Sequence, residues 1–92
     1  MSVYTHTPIP CLPNKNWRWR QSTHLIADTL DELHAFAERL GFRRSWFQDG
    51  GTCPHYDLTV SKHKQAVALG AINLDREGFV GKMDQIREAS HD

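Results

Sequence analysis

Asp and Glu are absent from the first 27 residues, where Lys15, Arg18 and Arg20 are the formal charges. From position 65 onward the balance reverses, with Asp75, Glu77, Asp84, Glu88 and Asp92 set against Arg76, Lys82 and Arg87. The net charge over all 92 residues is zero with histidine neutral. That excludes general nucleic-acid binding, which needs an excess of Lys and Arg to neutralise phosphates, but it leaves room for a basic local surface. The chain has no run of about 18 apolar residues, the minimum for a membrane span, and it does not open in the charged-then-apolar order of a secretory signal. A cytoplasmic protein away from membranes is therefore expected. Two cysteines, Cys11 and Cys53, are too few for a disulfide scaffold and are expected to stay as thiols. No Gly-rich phosphate loop, Gly-x-Ser-x-Gly turn or His-Glu-x-x-His helix occurs, so those enzyme classes lose support.

What the chain does contain is six histidines, three tryptophans and enough length for one core. A domain this small buries only about two thirds of the surface of its unfolded chain, so a homo-oligomer is expected as a supplement to stability. Val3, Tyr4 and Thr5 favour a first strand over residues 2–6, followed by a Pro-rich loop at Pro8, Pro10 and Pro13. A second strand is expected at 22–27. Thr29 and Glu32 then form a capping box ahead of Leu30, Leu33, Phe36, Ala37 and Leu40 at helical spacing, and Gly41 is a left-handed stop. Residues 42–48 read as strand and 49–54 as loop. A second helix starts near Thr59 or Ser61 and ends at Gly70, and a short strand follows at 71–74. Residues 75–90 read as a third helix, in which Gly78 and Gly81 each cost about 1 kcal/mol relative to Ala. The expected fold is α+β or small α/β: a single domain over 1–92 with a short mixed sheet and two or three helices.

Four groups of residues have chemical potential. The triplet His55-Tyr56-Asp57 places an imidazole, a phenol and a carboxylate just before a helix, whose free amides favour anions; the plain alternative is that Asp57 or Thr59 caps that helix. His24 and Asp28 flank the start of the first helix, and His34 borders its apolar face. A histidine such as His24 or His55 can act as general base when an acid such as Asp57 orients it, although no spacing proves that these groups meet. Cys53-Pro54-His55, with Cys11, His24 or His34, lacks the paired spacing of a zinc motif, so neither metal nor cofactor is expected. Finally, Trp17, Arg18, Trp19, Arg20, Arg44 and Trp46, with Gln48 and Lys62, combine guanidinium groups suited to phosphate with indoles suited to stacking on a base. The plain alternative there is core or interface packing, with Arg stems covering the rings.

The string His24-Leu25, Ala27-Asp28, Leu33-His34-Ala35-Phe36-Ala37, Leu40-Gly41, Trp46-Phe47-Gln48, His55-Tyr56-Asp57-Leu58, Lys62 and Gly70-Ala71 resembles the small bacterial and bacteriophage family known as domain of unknown function 4031. The resemblance covers about residues 1–75 and leaves 76–92 as a C-terminal helix or tail. It implies a prokaryotic or phage setting and carries no established activity. Members of that family commonly open with Val-Tyr, a hydrophobic residue and Asp, where this chain reads Val3-Tyr4-Thr5-His6. The resemblance thus implies that any role of that acid is lost here or passes to His6, which favours binding over hydrolysis.

The leading expectation is a binding module for a small anionic, nucleotide-like ligand, in one form a phage-encoded sequestering protein. Its rival is a small hydrolase or phosphoesterase using His24, His55 and Asp57. A third expectation is a protein-interaction inhibitor with the tryptophans and arginines as interface anchors.

Overall fold

Alternation along the first strand decides how the layers divide. In the computed structural model, which describes residues 2–13, 17, 19–49 and 53–89, β1 (Val3–His6) is buried along its whole length. Val3 joins one hydrophobic cluster and Tyr4 another, because successive side chains of a strand leave opposite faces. β3 (Gln21–Ala27) repeats the division, with Leu25 and Ala27 in the first cluster and Ile26 in the second.

β3 is the hub of a mixed sheet of five strands. It pairs antiparallel with β1, with β2 (Ile9–Pro10) and with β4 (Tyr56–Leu58). β1 also pairs parallel with β5 (Ile72–Leu74). Thr7 and Pro8 separate β1 from β2, and Pro10 sits in β2 because its pairing there is short.

Two helices cover the first cluster. α1 (Leu30–Arg39) begins at the expected box, where the Thr29 hydroxyl accepts from the Glu32 amide, and it brings Leu33, Phe36 and Ala37 into the core. Leu40 closes it and Gly41 follows at φ +79°, a conformation open to glycine. α2 (Val60–Ala68) is capped by Thr59 and buries Ala66. α3 (Arg76–Ala89) lies over the second cluster through Phe79, Met83 and Ile86. Gly78 and Gly81 do not interrupt it. The chain is thus a small α+β domain with helices on both faces of one sheet.

One expectation is corrected. Residues 42–48 do not form a strand: a single 3₁₀ turn occupies Arg44–Trp46, and Gln48 alone makes an isolated bridge to His55. Phe42 and Phe47 pack on the same first cluster from either side of that turn, which their odd spacing would not allow in a strand. His55, Tyr56 and Asp57 lie ahead of a helix as expected. They run into strand β4, and Thr59 supplies the helix cap.

Candidate functional site

Placing His55, Tyr56 and Asp57 in extended backbone sends His55 and Asp57 to one face and Tyr56 to the other. β3 and β4 are in register with His24 opposite Asp57. On the face of Ile26 and Phe79, His6, His24, His55 and Asp57 therefore converge at the end of the second cluster.

The contacts are specific. His6 Nε2 lies 3.0 Å from His24 Nδ1, and His6 Nδ1 lies 2.8 Å from the Thr7 carbonyl. His55 Nδ1 lies 2.9 Å from the Cys53 carbonyl. His24 Nε2 and His55 Nε2 are 3.5 Å and 3.6 Å from Asp57 Oδ1. The Gln48 amide donates to the other oxygen, Asp57 Oδ2. The His24 and His55 rings meet edge to face with centroids 5.1 Å apart, and Phe79 meets the His6 ring at 4.6 Å. One ligand atom from each of His24, His55 and Asp57 lies within 4.8 Å of the others, so the group has the donors and the spacing to hold a metal ion.

Burial sets the protonation state here. Desolvation, and then the neighbouring His55, hold the His24 imidazole below the ordinary 6.5, against the pull of Asp57. Burial also pushes the Cys53 thiol up, so Cys53 is a packed thiol of the second cluster and has no thiolate character. A cavity of about 810 Å³ opens beside the histidines, between the β1–β2 bend, the sheet and α3. Ile26, Phe79 and Met83 give it an apolar wall, while His6, His24 and His55 give it a polar one. Among the described residues, its permanently cationic lining group is the exposed Arg76, at the start of α3. The volume falls in the range of small-molecule sites.

A family model described as a protein of unknown function (DUF4031) matches residues 11–86. The chain belongs to that family. No curated protein and no solved structure matches it. The matched span contains His24, His55 and Asp57 and runs through most of α3. Among the described residues no helix is long and apolar enough to cross a membrane.

The remaining expected site residues lie elsewhere. Tyr56 faces α1, with its hydroxyl 2.9 Å from His34 Nδ1. Lys62 donates to the Leu40 carbonyl at the end of α1 and sits over the Phe42 ring. Trp46 also meets Phe42, with centroids 5.4 Å apart. Arg44 precedes it in the 3₁₀ turn, where its charge acts on His34 and Tyr56. Trp19 and Arg20 line a second hollow of about 370 Å³ with Thr59, Val60 and Ser61. Trp17 packs edge to face on Trp19. Arg18 lies outside the described residues. Asp28 accepts from the Ser2 amide and the Tyr4 hydroxyl, tying down the start of β1.

Three residues at the site, His6, Arg76 and Phe79, carry little weight in the sequence. The signal for His6 is parity: once Tyr4 is on a buried face, residue 6 shares it. The signal for α3 is Phe79, Met83 and Ile86 at helical spacing, which requires an apolar surface to rest on.

Proposed function

We propose that this protein is a small hydrolase whose substrate is a compact anionic ester, with phosphoesters the first class to test. The observation that carries this reading is that His24 and His55, which line the cavity, converge on Asp57 just behind its polar wall. A water donating to two of these acceptors is placed to lose a proton as it attacks, which is general-base catalysis. The P–O ester bond breaks as the new P–O bond forms, and the proton held on imidazole passes to the leaving alkoxide. Arg76 supplies positive charge for the anionic group, and the apolar wall formed by Ile26, Phe79 and Met83 accepts the rest of the molecule.

The test is incubation of the purified chain with p-nitrophenyl phosphate, bis(p-nitrophenyl) phosphate and a mixture of nucleotides, read by absorbance and mass spectrometry. His55→Ala and Asp57→Asn are expected to lower turnover by about 10²–10⁴-fold with the fold intact. Turnover unchanged in both variants, or none with any substrate, removes this reading.

A second reading keeps binding without turnover. Its support is the hollow where Trp19 and Arg20 meet the start of α2, a pairing of indole and guanidinium suited to a nucleotide. Retained nucleotide with no product, lost on Arg20→Ala, favours it.

A further inference from the structure

Hydrogen bonds outside the cluster decide which nitrogens face into it. A backbone carbonyl only accepts, so the His55 nitrogen 2.9 Å from the Cys53 carbonyl carries the hydrogen. In the neutral ring this leaves His55 Nε2 as a bare lone pair. The Thr7 carbonyl does the same to His6 Nδ1 at 2.8 Å, so His6 Nε2 is an acceptor. The bond it makes at 3.0 Å must then be donated by His24 Nδ1, which leaves His24 Nε2 bare as well. Both bare nitrogens face Asp57 Oδ1, at 3.5 Å and 3.6 Å. Gln48 is the described side chain that donates to Asp57, and it takes the other oxygen. Three acceptors thus converge on one point, an arrangement that a cation between them would satisfy.

We propose that His24 Nε2, His55 Nε2 and Asp57 Oδ1 bind one divalent transition-metal ion of the zinc type, with its remaining coordination open to the cavity. In a tetrahedral site with bonds of about 2.0–2.2 Å, ligand atoms lie about 3.4 Å apart. The two distances to Asp57 match that separation closely, and the whole group lies within 4.8 Å, so a small swivel of the rings completes it. Two imidazoles and one carboxylate suit zinc or iron(II) and disfavour calcium and magnesium, which take oxygen ligands. Each ligand is also held from behind: His24 by His6, His55 by the Cys53 carbonyl and Asp57 by Gln48. Orienting bonds of this kind are what metal-binding histidines and carboxylates have. Three protein ligands and an open side are the pattern of a catalytic metal rather than a structural one. The catalytic role of this ion rests on the hydrolytic reading above, with the ion in place of the imidazole as the group that activates water, while its binding does not rest on that reading.

The full-length chain, stripped with chelator and checked for folding by circular dichroism, is titrated with Co²⁺ and then Zn²⁺. One equivalent of Co²⁺ is expected, with visible d–d bands that Zn²⁺ abolishes. Asp57→Asn, which keeps the size of the side chain, is expected to weaken binding by more than about a hundredfold, beyond the effect of losing an orienting partner. His63→Ala, at the exposed His63–Asn73 pair, is expected to leave it unchanged. Absence of saturable binding, or equal binding by wild type and Asp57→Asn, overturns the site. Metal bound without turnover supports the site and sinks the hydrolysis. Full turnover by the stripped chain in chelator overturns the catalytic role of the ion.

Discussion

The Nε2 atom of His6 sits 3.0 Å from Nδ1 of His24, and this one bond fixes which nitrogen of His24 faces Asp57. His6 is buried on the same face as Phe79, and its own orientation is set by the Thr7 carbonyl. It is a positioning residue: it acts through His24.

His6→Leu removes the acceptor while keeping the bulk, so the His24 hydrogen is free to move between its two nitrogens. His6→Gln keeps an acceptor near the place of Nε2. In nitrogen-15 NMR, His24 is expected to hold its hydrogen on Nδ1 in wild type and His6→Gln and to become mixed in His6→Leu. Metal affinity is expected to fall by about 10–100-fold in His6→Leu and to recover in His6→Gln. An unchanged His24 tautomer in His6→Leu refutes the role.

The two glycines inside α3 are expected to behave differently. A Cβ at Gly81 meets nothing within 4 Å, so Gly81→Ala is expected to stabilise by about 1 kcal/mol through helix propensity. A Cβ at Gly78 would lie 2.9 Å from Asp75 Oδ1, the oxygen that accepts from the Gly78 amide at 2.7 Å. Displacing that bond offsets the propensity gain, so Gly78→Ala is expected to stabilise less. Urea unfolding of the two variants checks the order, and equal gains refute it.

The contrast between these glycines shows which features are local. Propensity and capping depend on near neighbours in the chain, so the Thr29–Glu32 box, the stop at Gly41 and the apolar spacing of α1 and α3 are legible from the residues alone. β4 is not, because three residues become a strand only by pairing with β3. The aromatic pattern of 42–48 misleads for a related reason: Phe42 and Phe47 are drawn to the core by tertiary packing around a turn. The site divides the same way. His24, His55 and Asp57 are reactive types visible in the sequence, but their meeting depends on the register that sets His24 opposite Asp57. His6 depends further on β1 pairing with that same β3 strand.

Behind the cluster, on the opposite face of the sheet, a buried hydroxyl pair supports this register. Thr23 Oγ1 donates to the His6 carbonyl at 2.5 Å and lies 3.2 Å from Thr5 Oγ1. Thr23→Val keeps the shape and deletes the donor, at an expected cost of about 1–3 kcal/mol. Thr5→Val is expected to cost less, because Thr23 keeps the carbonyl as its acceptor. On the Thr23→Val background, Thr5→Val is expected to add less again, since the shared bond is already gone. Denaturant unfolding of both single variants and the double variant measures this, and strict additivity contradicts it.

On that same opposite face, the Tyr56 hydroxyl and His34 Nδ1 are 2.9 Å apart, and the His34 ring stands edge-on to Phe47. Burial pushes the Tyr56 phenol up, so it keeps its hydrogen, and donating that hydrogen to His34 Nδ1, the partner of this buried hydroxyl, leaves it satisfied. His34 must then accept, which only the neutral ring does at Nδ1. Desolvation, and then the charge of Arg44, hold its pKa below the ordinary 6.5, against the opposing effect of Asp31. The sign of the pH effect follows. Below about 6.5 the unfolded chain takes up a proton that the folded ring still refuses, so stability falls as pH falls through that window. It is fully present above about 6.5 and levels off once the folded ring also protonates. His34→Asn places an amide oxygen near Nδ1 as acceptor and removes the titration. Between about pH 7 and pH 5, His34→Asn is expected to lose less stability than wild type, with contributions from the other histidines cancelling in the difference. Identical slopes for the two proteins show that His34 takes its proton as readily folded as unfolded, and the hydrogen bond to Tyr56 then has no part in keeping the ring neutral.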